Sequence, residues 1–379
     1  MDIKDFKAGS YRNGYQYRYF LPEKINHPFY WTDPTINELL EKASVRLGEL
    51  NSFSRFVPDT DMFIIMHIFK EAVLSSRIEG TRTNIEEAFI DESDINPEQR
   101  DDWQEVHNYV NAMNAAIEEL KTLPLSTRLI RNTHRILLSS GRGQHKAPGE
   151  FRTSQNWIGG ATLSDAVFIP PAHTELSDLL TDFEFFLNNQ DLKIPHLVKI
   201  AIAHYQFETI HPFLDGNGRM GRLLITLYLV SSGLLEKPLL YLSEFFEKNR
   251  SLYYDNLTLV RTRNDLAQWI KFFLVGVITT AEKATETLRN IMNLKARIEQ
   301  EHILAMGKRS RQAMDLLRYL FKKPVITVKE AQTSTGLSLK AANDLVRVFT
   351  ESGILKEITG YQRNRIFVFD AYMKLFSEQ

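Results

Sequence analysis

Cysteine is absent from all 379 residues, which excludes disulfides, thiolate-bound zinc and a cysteine nucleophile. A charge of one sign is also missing. The 46 Lys and Arg nearly cancel the 47 Asp and Glu, for a net charge of -1. No global field therefore draws the chain to nucleic acid or a membrane, and any such contact needs a local patch. The longest apolar run, LLITLYLV from Leu223, is far too short to cross a bilayer. The start, MDIKDFKAGS, lacks the apolar core of a signal peptide. No membrane partner is expected, and the cytoplasm is the expected location. There is no repeat and no low-complexity tract. With 43% hydrophobic and 25% charged residues the composition is that of a soluble globular protein, and the length predicts two or three domains.

Helical periodicity fills most of the chain. After a Tyr-rich start, amphipathic stretches run from Thr35 to Asn51 and from Asp61 to Ser76. A central block from about Leu125 to Glu286 holds further helical segments, including HLVKIAIAHYQFETI, GRLLITLYLVSSGLL and a long one from Asn264. One segment breaks the rule. NWIGGATLSDAVFIPP, Asn156 to Pro171, combines β-formers, glycines and a double proline, and predicts a short hairpin or flap. From Lys308 the pattern is helix, helix–turn–helix, then two short strands, the order of a winged helix. The charged Lys295–Arg309 stretch is the expected connector. The resulting division is 1–110, an N-terminal helical region; 111–290, a catalytic domain; and 300–379, the winged helix.

The N-terminal region ends one helix with SSRIEG, residues 75–80. Thr60 or Asp61 can cap its start and Gly80 can end it. Ser75 and Glu79 share a face of the last turn. A helix C-terminus favours cations, so a carboxylate there needs a partner.

The densest chemistry lies in HYQFETIHPFLDGNGRMGRLL, His204 to Leu224. Pro212 cannot continue the preceding helix. Asp-Gly-Asn-Gly makes a tight turn into a new helix near Gly218. Glycines leading into a helix N-terminus form an anion site. Arg219 and Arg222 follow, and His211 and Asp215 lie beside the turn. Together these predict polyphosphate, a divalent cation and a general base in one place. His204 and His211, seven apart, could suggest a metal pair, but no third ligand is spaced for zinc. His134, His173 and His196 read as structural or surface groups.

HPFLDGNGRMGR, His211 to Arg222, resembles the signature HPFx(D/E)GNGRxxR of the Fic (Fido) family without a gap. The likeness extends to PGEFR (Pro148 to Arg152), to WIGG and FIPP within Trp157 to Pro171, to LLYLS at Leu239 and to SLYYDNL at Ser251. It implies a mainly α Fic core that transfers AMP from ATP to a Ser, Thr or Tyr hydroxyl of a target protein or of itself. In that likeness His211 is the general base. Asp215 ligates Mg²⁺. Gly216, Asn217, Gly218, Arg219, Met220, Gly221 and Arg222 hold the phosphates, with Arg219 at the β- and Arg222 at the γ-phosphate. Trp157, Ile158, Gly159, Gly160, Val167 and Phe168 form a flap that docks the target by strand addition. Tyr241, Tyr253 and Tyr254 are candidates for the adenine.

One class of the family carries an inhibitory helix ending (S/T)xxxE(G/N), which Ser75 to Gly80 fits. There the glutamate occupies the γ-phosphate space by pairing with the second arginine. The resemblance thus implies an auto-inhibited enzyme, with Glu79 competing for Arg222 and Ser75 in support. Relatives of this class often form homodimers. Three alternatives stay open: the same site removes AMP, another nucleotide is the donor, or the winged helix makes the protein a DNA-binding regulator. Its second helix mixes Lys340 and Arg347 with Asp344 and Glu351, and the wing offers Lys356, Arg363 and Arg365. DNA contact therefore competes with target docking.

Overall fold

The computed structural model describes residues 1–57, 60–360 and 364–376. The side chains of Thr60 and Asp61, expected to cap a helix, and all of Arg363 lie outside the described residues. The Tyr-rich start is not helical. It forms an antiparallel hairpin, β1 (Gly9–Asn13) and β2 (Arg18–Pro22), whose Phe20 amide donates to the Ile169 carbonyl of the flap (2.9 Å).

α1 (Pro34–Phe56) starts where sequence chemistry puts it. The Asp33 carboxylate accepts from the Thr35 amide (2.9 Å), and Pro34 needs no donor partner in the first turn. α2 (Thr60–Ile78) follows, and 3₁₀ turns lead into α3 (Arg100–Glu119). α3 runs unbroken across residues 110 and 111, where the sequence pattern divided the chain. α4 (Thr127–Leu137), α5 (Leu176–Asn188), α6 (His196–Ile210) and α7 (Asn217–Ser231) build the middle of the molecule. Every residue of α6 after His196 is buried, so the hairpin that follows is anchored in the core. α8 (Ser243–Lys248) and α9 (Arg250–Arg263) precede α10 (Leu266–Ile298). Asp265 caps α10 through the Gln268 amide. Its Trp269, Ile270, Phe273, Val277, Ala281, Leu288 and Ile291 recur at helical period and are buried. α1 lies along this stripe.

The expected connector is helical, with a π turn over Glu299–Ile303 and a kink at Gly307. Beyond it come α11 (Ser310–Lys322), β3 (Val325–Thr327), α12 (Val328–Thr335), α13 (Leu339–Glu351), β4 (Lys356–Glu357), β5 (Ile366–Val368) and α14 (Asp370–Met373). The strands form an antiparallel sheet in the order β3-β5-β4; β3, in the gap between two expected helices, is a third strand that the sequence pattern does not announce. This block sits on α2. The Phe63 and Phe321 rings meet edge-on at 5.3 Å, His67 meets Phe376 at 5.0 Å, and Lys323 pairs with Asp91 at 3.0 Å. The fold is mainly α with two small antiparallel sheets. Among the described residues no helix is long and apolar enough to cross a membrane.

Candidate active site

The site grows from the turn between α6 and α7. His211 ends α6 in the left-handed conformation (φ 50°, ψ 60°), which disfavours a residue with a Cβ and persists only where its surroundings enforce it. Here two side chains from the PGEFR–flap region do so. Arg152 donates through Nε to the His211 carbonyl (3.0 Å), and through Nη2 to those of Pro171 (2.5 Å) and Ile210 (3.4 Å). Asn156 Nδ2 donates to the carbonyls of His211 (3.1 Å) and Phe213 (2.8 Å). Burial draws the Arg152 guanidinium down to about 10. His134, expected to be structural, braces the far side. It stacks on Phe213 at 3.6 Å, accepts from the Gly149 amide at Nδ1 (2.9 Å), and so carries its proton on Nε2 toward the Asp215 carbonyl (2.9 Å).

Gly216 turns the chain into α7 at φ 72°, a conformation that suits glycine. The Asn217 side chain closes on the Phe213 backbone at both ends, accepting at 2.8 Å and donating at 2.9 Å. It shapes the turn, and the amides at the α7 N-terminus are groups that could meet an anion. The His211 ring meets the Glu208 carbonyl through Nδ1 (3.3 Å). That contact favours a proton on Nδ1 and leaves Nε2 as the acceptor. Burial pulls His211 down to about 4, against the opposing pull of the Glu208 carbonyl. The imidazole is therefore neutral at neutral pH, the form a base requires.

Asp215 lies at the mouth of the turn, 42% exposed, and its Oδ1 accepts from the Gly216 amide (2.6 Å). Among the described residues no group of three acidic or imidazole side chains gathers as a metal site. His204 instead holds α7 from behind, bonding to the Gly221 carbonyl and the Tyr253 hydroxyl (both 2.9 Å).

The two arginines are buried and held differently. Arg219 Nη1 meets Glu105 of α3 (3.0 Å), which also accepts from Arg142 (2.8 Å). Arg222 faces α2. Its Nε donates to the Ser75 hydroxyl (2.9 Å), and its Nη2 to the Ser75 carbonyl (2.9 Å) and Glu79 Oε1 (2.6 Å). The Arg222 side chain is 2% exposed and that of Glu79 37%. Burial pushes Glu79 up, but Arg222 outweighs it and holds the carboxyl below its usual range. Glu71, two turns earlier on the same face, is locked by the Ser243 and Tyr109 hydroxyls. The three residues Glu71, Ser75 and Glu79 thus fasten α2 to the core.

The flap is shorter than the expected hairpin: one antiparallel bridge, Ile158 to Phe168, around a 3₁₀ turn. Gly159 and Gly160 carry positive φ. Val167 is 80% exposed and Trp157 half-exposed, but Phe168 points inward, against Phe20 and beneath the Arg261 guanidinium (3.9 Å). Phe168 is an anchor for the flap and not part of its open edge. The tyrosines part company. Tyr254 is 40% exposed, with Glu79 and Arg222 as electrostatic neighbours. Tyr253 is buried on His204. Tyr241 is buried against α2, lining a small cavity with His67, Lys70 and Glu71. Met220 is buried in the core and Gly221 lies against Glu208.

Sequence pattern did not single out Glu71, Glu105 or Glu208. Each is a carboxylate at an apolar-facing helix position, and that mismatch is the signal that could have found them.

Residues 37–118 match the Fic/DOC family N-terminal model and residues 124–229 match the Fic/DOC family model. The protein adenylyltransferase Fic of Aedes aegypti is 29% identical over 259 residues, 64% of this chain and 47% of its own length. That of Culex quinquefasciatus is 37% identical over 126 residues, 33% of this chain and 22% of its own. The chain spans less than half the length of these curated relatives. A crystal structure of a Fic family protein from Desulfovibrio desulfuricans aligns with a TM-score of 0.56 at 20% identity, over 90% of this chain and 98% of that one. The last comparison speaks for the fold.

Proposed function

Because the chain belongs to the Fic/DOC family over residues 37–118 and 124–229, we propose that it is a protein adenylyltransferase held in check by its own Glu79. The observation that carries this reading is the gathering of His211, Arg219 and Arg222 around a glycine turn at a helix N-terminus, with Glu79 on Arg222. The α7 amides suit the α-phosphate, where charge grows in the transition state. Arg219 and Arg222 suit the β- and γ-phosphates, and arginine matches phosphate geometry in a bidentate way.

In the reaction a target hydroxyl oxygen attacks the α-phosphorus of ATP. Its proton passes to Nε2 of His211, and the bond to the pyrophosphate oxygen breaks. The products are AMP-protein and pyrophosphate, and the protonated His211 returns its proton to solvent. The residues present fit Mg²⁺: one exposed carboxylate, Asp215, suffices for a cation that keeps most of its waters. Bound there, it would neutralise charge on the phosphate oxygens. The open edge of the flap, with Trp157, Ile158, Gly159, Gly160 and Val167, would pair with an extended target segment. Tyr254 is the tyrosine we place beside the nucleotide.

We read residues 300–379 as a winged helix that docks a protein. The face of α13 carries Lys340 and Asn343, the latter accepting from Arg365 (2.9 Å), and Asp91 and Asp94 line the same groove. A groove lined by charges of both signs suits a protein better than the polyanionic DNA backbone.

The test is intact mass after incubation with ATP and Mg²⁺. Glu79→Gly should gain one AMP mass and lose that gain when His211→Ala is added. A Glu79→Gly protein that gains no more than wild type overturns the inhibitory role. A gain from UTP or CDP-choline in preference to ATP overturns the donor.

A further inference from the structure

Glu208 is a carboxylate buried beside the turn that carries the site. It sits on the last turn of α6, three residues before His211. Its side chain is buried, and among the described residues Oε1 has no hydrogen-bond partner. A buried, unsatisfied carboxyl is costly, and where one persists a functional use is the first explanation to test. Its position is defined by a glycine. A Cβ on Gly221 would come within 2.3 Å of Glu208 Oε1. One turn earlier on the same face of α7, a Cβ on Gly218 would come within 2.3 Å of Glu79 Oε1 and 3.0 Å of Arg222 Nη1. The face of α7 at positions 218 and 221 is thus bare of side chains. Two carboxylate oxygens fill that space, one from the residue just after α2 and one from α6, and the guanidinium of Arg222 on the same helix holds the first at 2.6 Å.

We infer that Glu208 is a positioning residue for Arg222, the alternative counter-ion that takes over the guanidinium whenever neither Glu79 nor a nucleotide phosphate occupies it. The inference rests on the adenylyltransferase reading of the site. With Glu79 on Arg222, a second negative charge nearby is disfavoured, and the protonated form of Glu208 is favoured. Burial, opposed by Arg222 and reinforced by Glu79, pushes Glu208 up to about 7. The charged and titratable groups around it are Arg222 on α7, Glu79 after α2, Arg261, Tyr253 and Tyr254 on α9, and His211. When Glu79 withdraws, its repulsion is lost, Glu208 releases its proton and holds Arg222 in place. A γ-phosphate arriving on Arg222 restores the negative charge, and Glu208 takes a proton from solvent. Nucleotide binding to the released enzyme is therefore coupled to proton uptake. It is favoured at low pH, weakens as pH rises toward neutrality and levels off above about 7, where Glu208 is ionised in both states.

The experiment uses the full chain carrying Glu79→Gly. ATP binding at pH 7 is followed by calorimetry in two buffers of different ionisation enthalpy. Proton uptake is expected, together with a KM for ATP that rises by up to about tenfold per pH unit on approaching pH 7 from below and levels off above it, while kcat does not follow. Adding Glu208→Gln should abolish the uptake and flatten the KM profile. Uptake that persists unchanged in the double variant overturns the role of Glu208. If Glu208→Gln fails to fold, infrared difference spectra of Glu79→Gly alone decide. A protonated-carboxyl band should appear on adding ATP, and its absence overturns the inference. A Glu79→Gly protein that binds no ATP overturns the nucleotide reading itself, a result distinct from loss of the proton signal.

Discussion

Oε1 of Glu79 lies 2.6 Å from Nη2 of Arg222, across 143 residues of chain, while Ser75 takes the Nε edge of the same guanidinium at 2.9 Å. The arginine proposed for the γ-phosphate is therefore held by α2. A charge-assisted contact of this kind contributes about 1.5–3 kcal/mol, and partial exposure of Glu79 reduces it toward the lower end. Glu79→Gly should raise AMP incorporation about 5- to 30-fold, the factor that 1–2 kcal/mol represents. Labelled-ATP incorporation measures it, and equal rates in the two proteins would count against the competition.

His211 should not titrate in the working range. Its imidazole is depressed to about 4, so the basic form is present at neutral pH and is lost as pH falls through about 4. For the Glu79→Gly protein kcat should be level between about pH 6 and 8, because the depressed base stays unprotonated there. His211→Ala should lower it by roughly 10²- to 10⁴-fold. A kcat midpoint near the ordinary imidazole value would contradict the neutral, buried base.

Arg152 should matter although it carries no chemistry of its own. Its guanidinium serves the carbonyls of His211, Ser154, Pro171 and Ile210. Arg152→Met leaves them without that donor and should destabilise the fold by about 3 kcal/mol or more. Thermal melting reads the loss. In Glu79→Gly/Arg152→Met, kcat should fall more than ATP affinity, because His211 loses its backbone brace.

Acid should unfold the protein through its buried imidazoles. Burial pulls His67 and His204 to about 3, and His134 and His211 to about 4. The unfolded chain binds protons at these sites near pH 6.5 while the folded one does not, so stability falls as pH drops below about 6.5. Melting temperatures from pH 7 to 5 should decline steadily. A level profile would mean that these rings protonate without unfolding.

The C-terminal block should restrain α2. Phe63 and Phe321 are both fully buried and meet edge-on, and a Phe→Ala change in such a contact costs about 3–5 kcal/mol. Phe321→Ala should lower the melting temperature and raise basal AMP incorporation toward that of Glu79→Gly. Raised incorporation must disappear when His211→Ala is added. Destabilisation without any rise would separate packing from restraint.

Much of the site was legible because its groups are close in sequence. His211, Asp215 and the two arginines fall within twelve residues, and proline and glycine announce the turn between helices by their backbone geometry alone. Ser75 and Glu79 were legible as a face of one helix. The N-terminal hairpin was not, because the Tyr-rich strands at Gly9–Asn13 and Arg18–Pro22 lack the alternation that marks a half-buried strand. Nor did Asn217 declare that both ends of its amide serve the Phe213 backbone, since a motif position carries no direction.

By itself, the sequence of residues 204–224 determined a helix, a sharp turn and a second helix whose N-terminus attracts anions, because those features rest on local backbone preferences. Only the tertiary structure decided which distant carboxylates meet it. Glu79 on Arg222, Glu105 on Arg219 and Glu208 against Gly221 come from three different segments. Their pairing depends on how α2, α3 and α6 pack around α7. Packing of that kind is a property of summed apolar burial and shape, which no local spacing encodes.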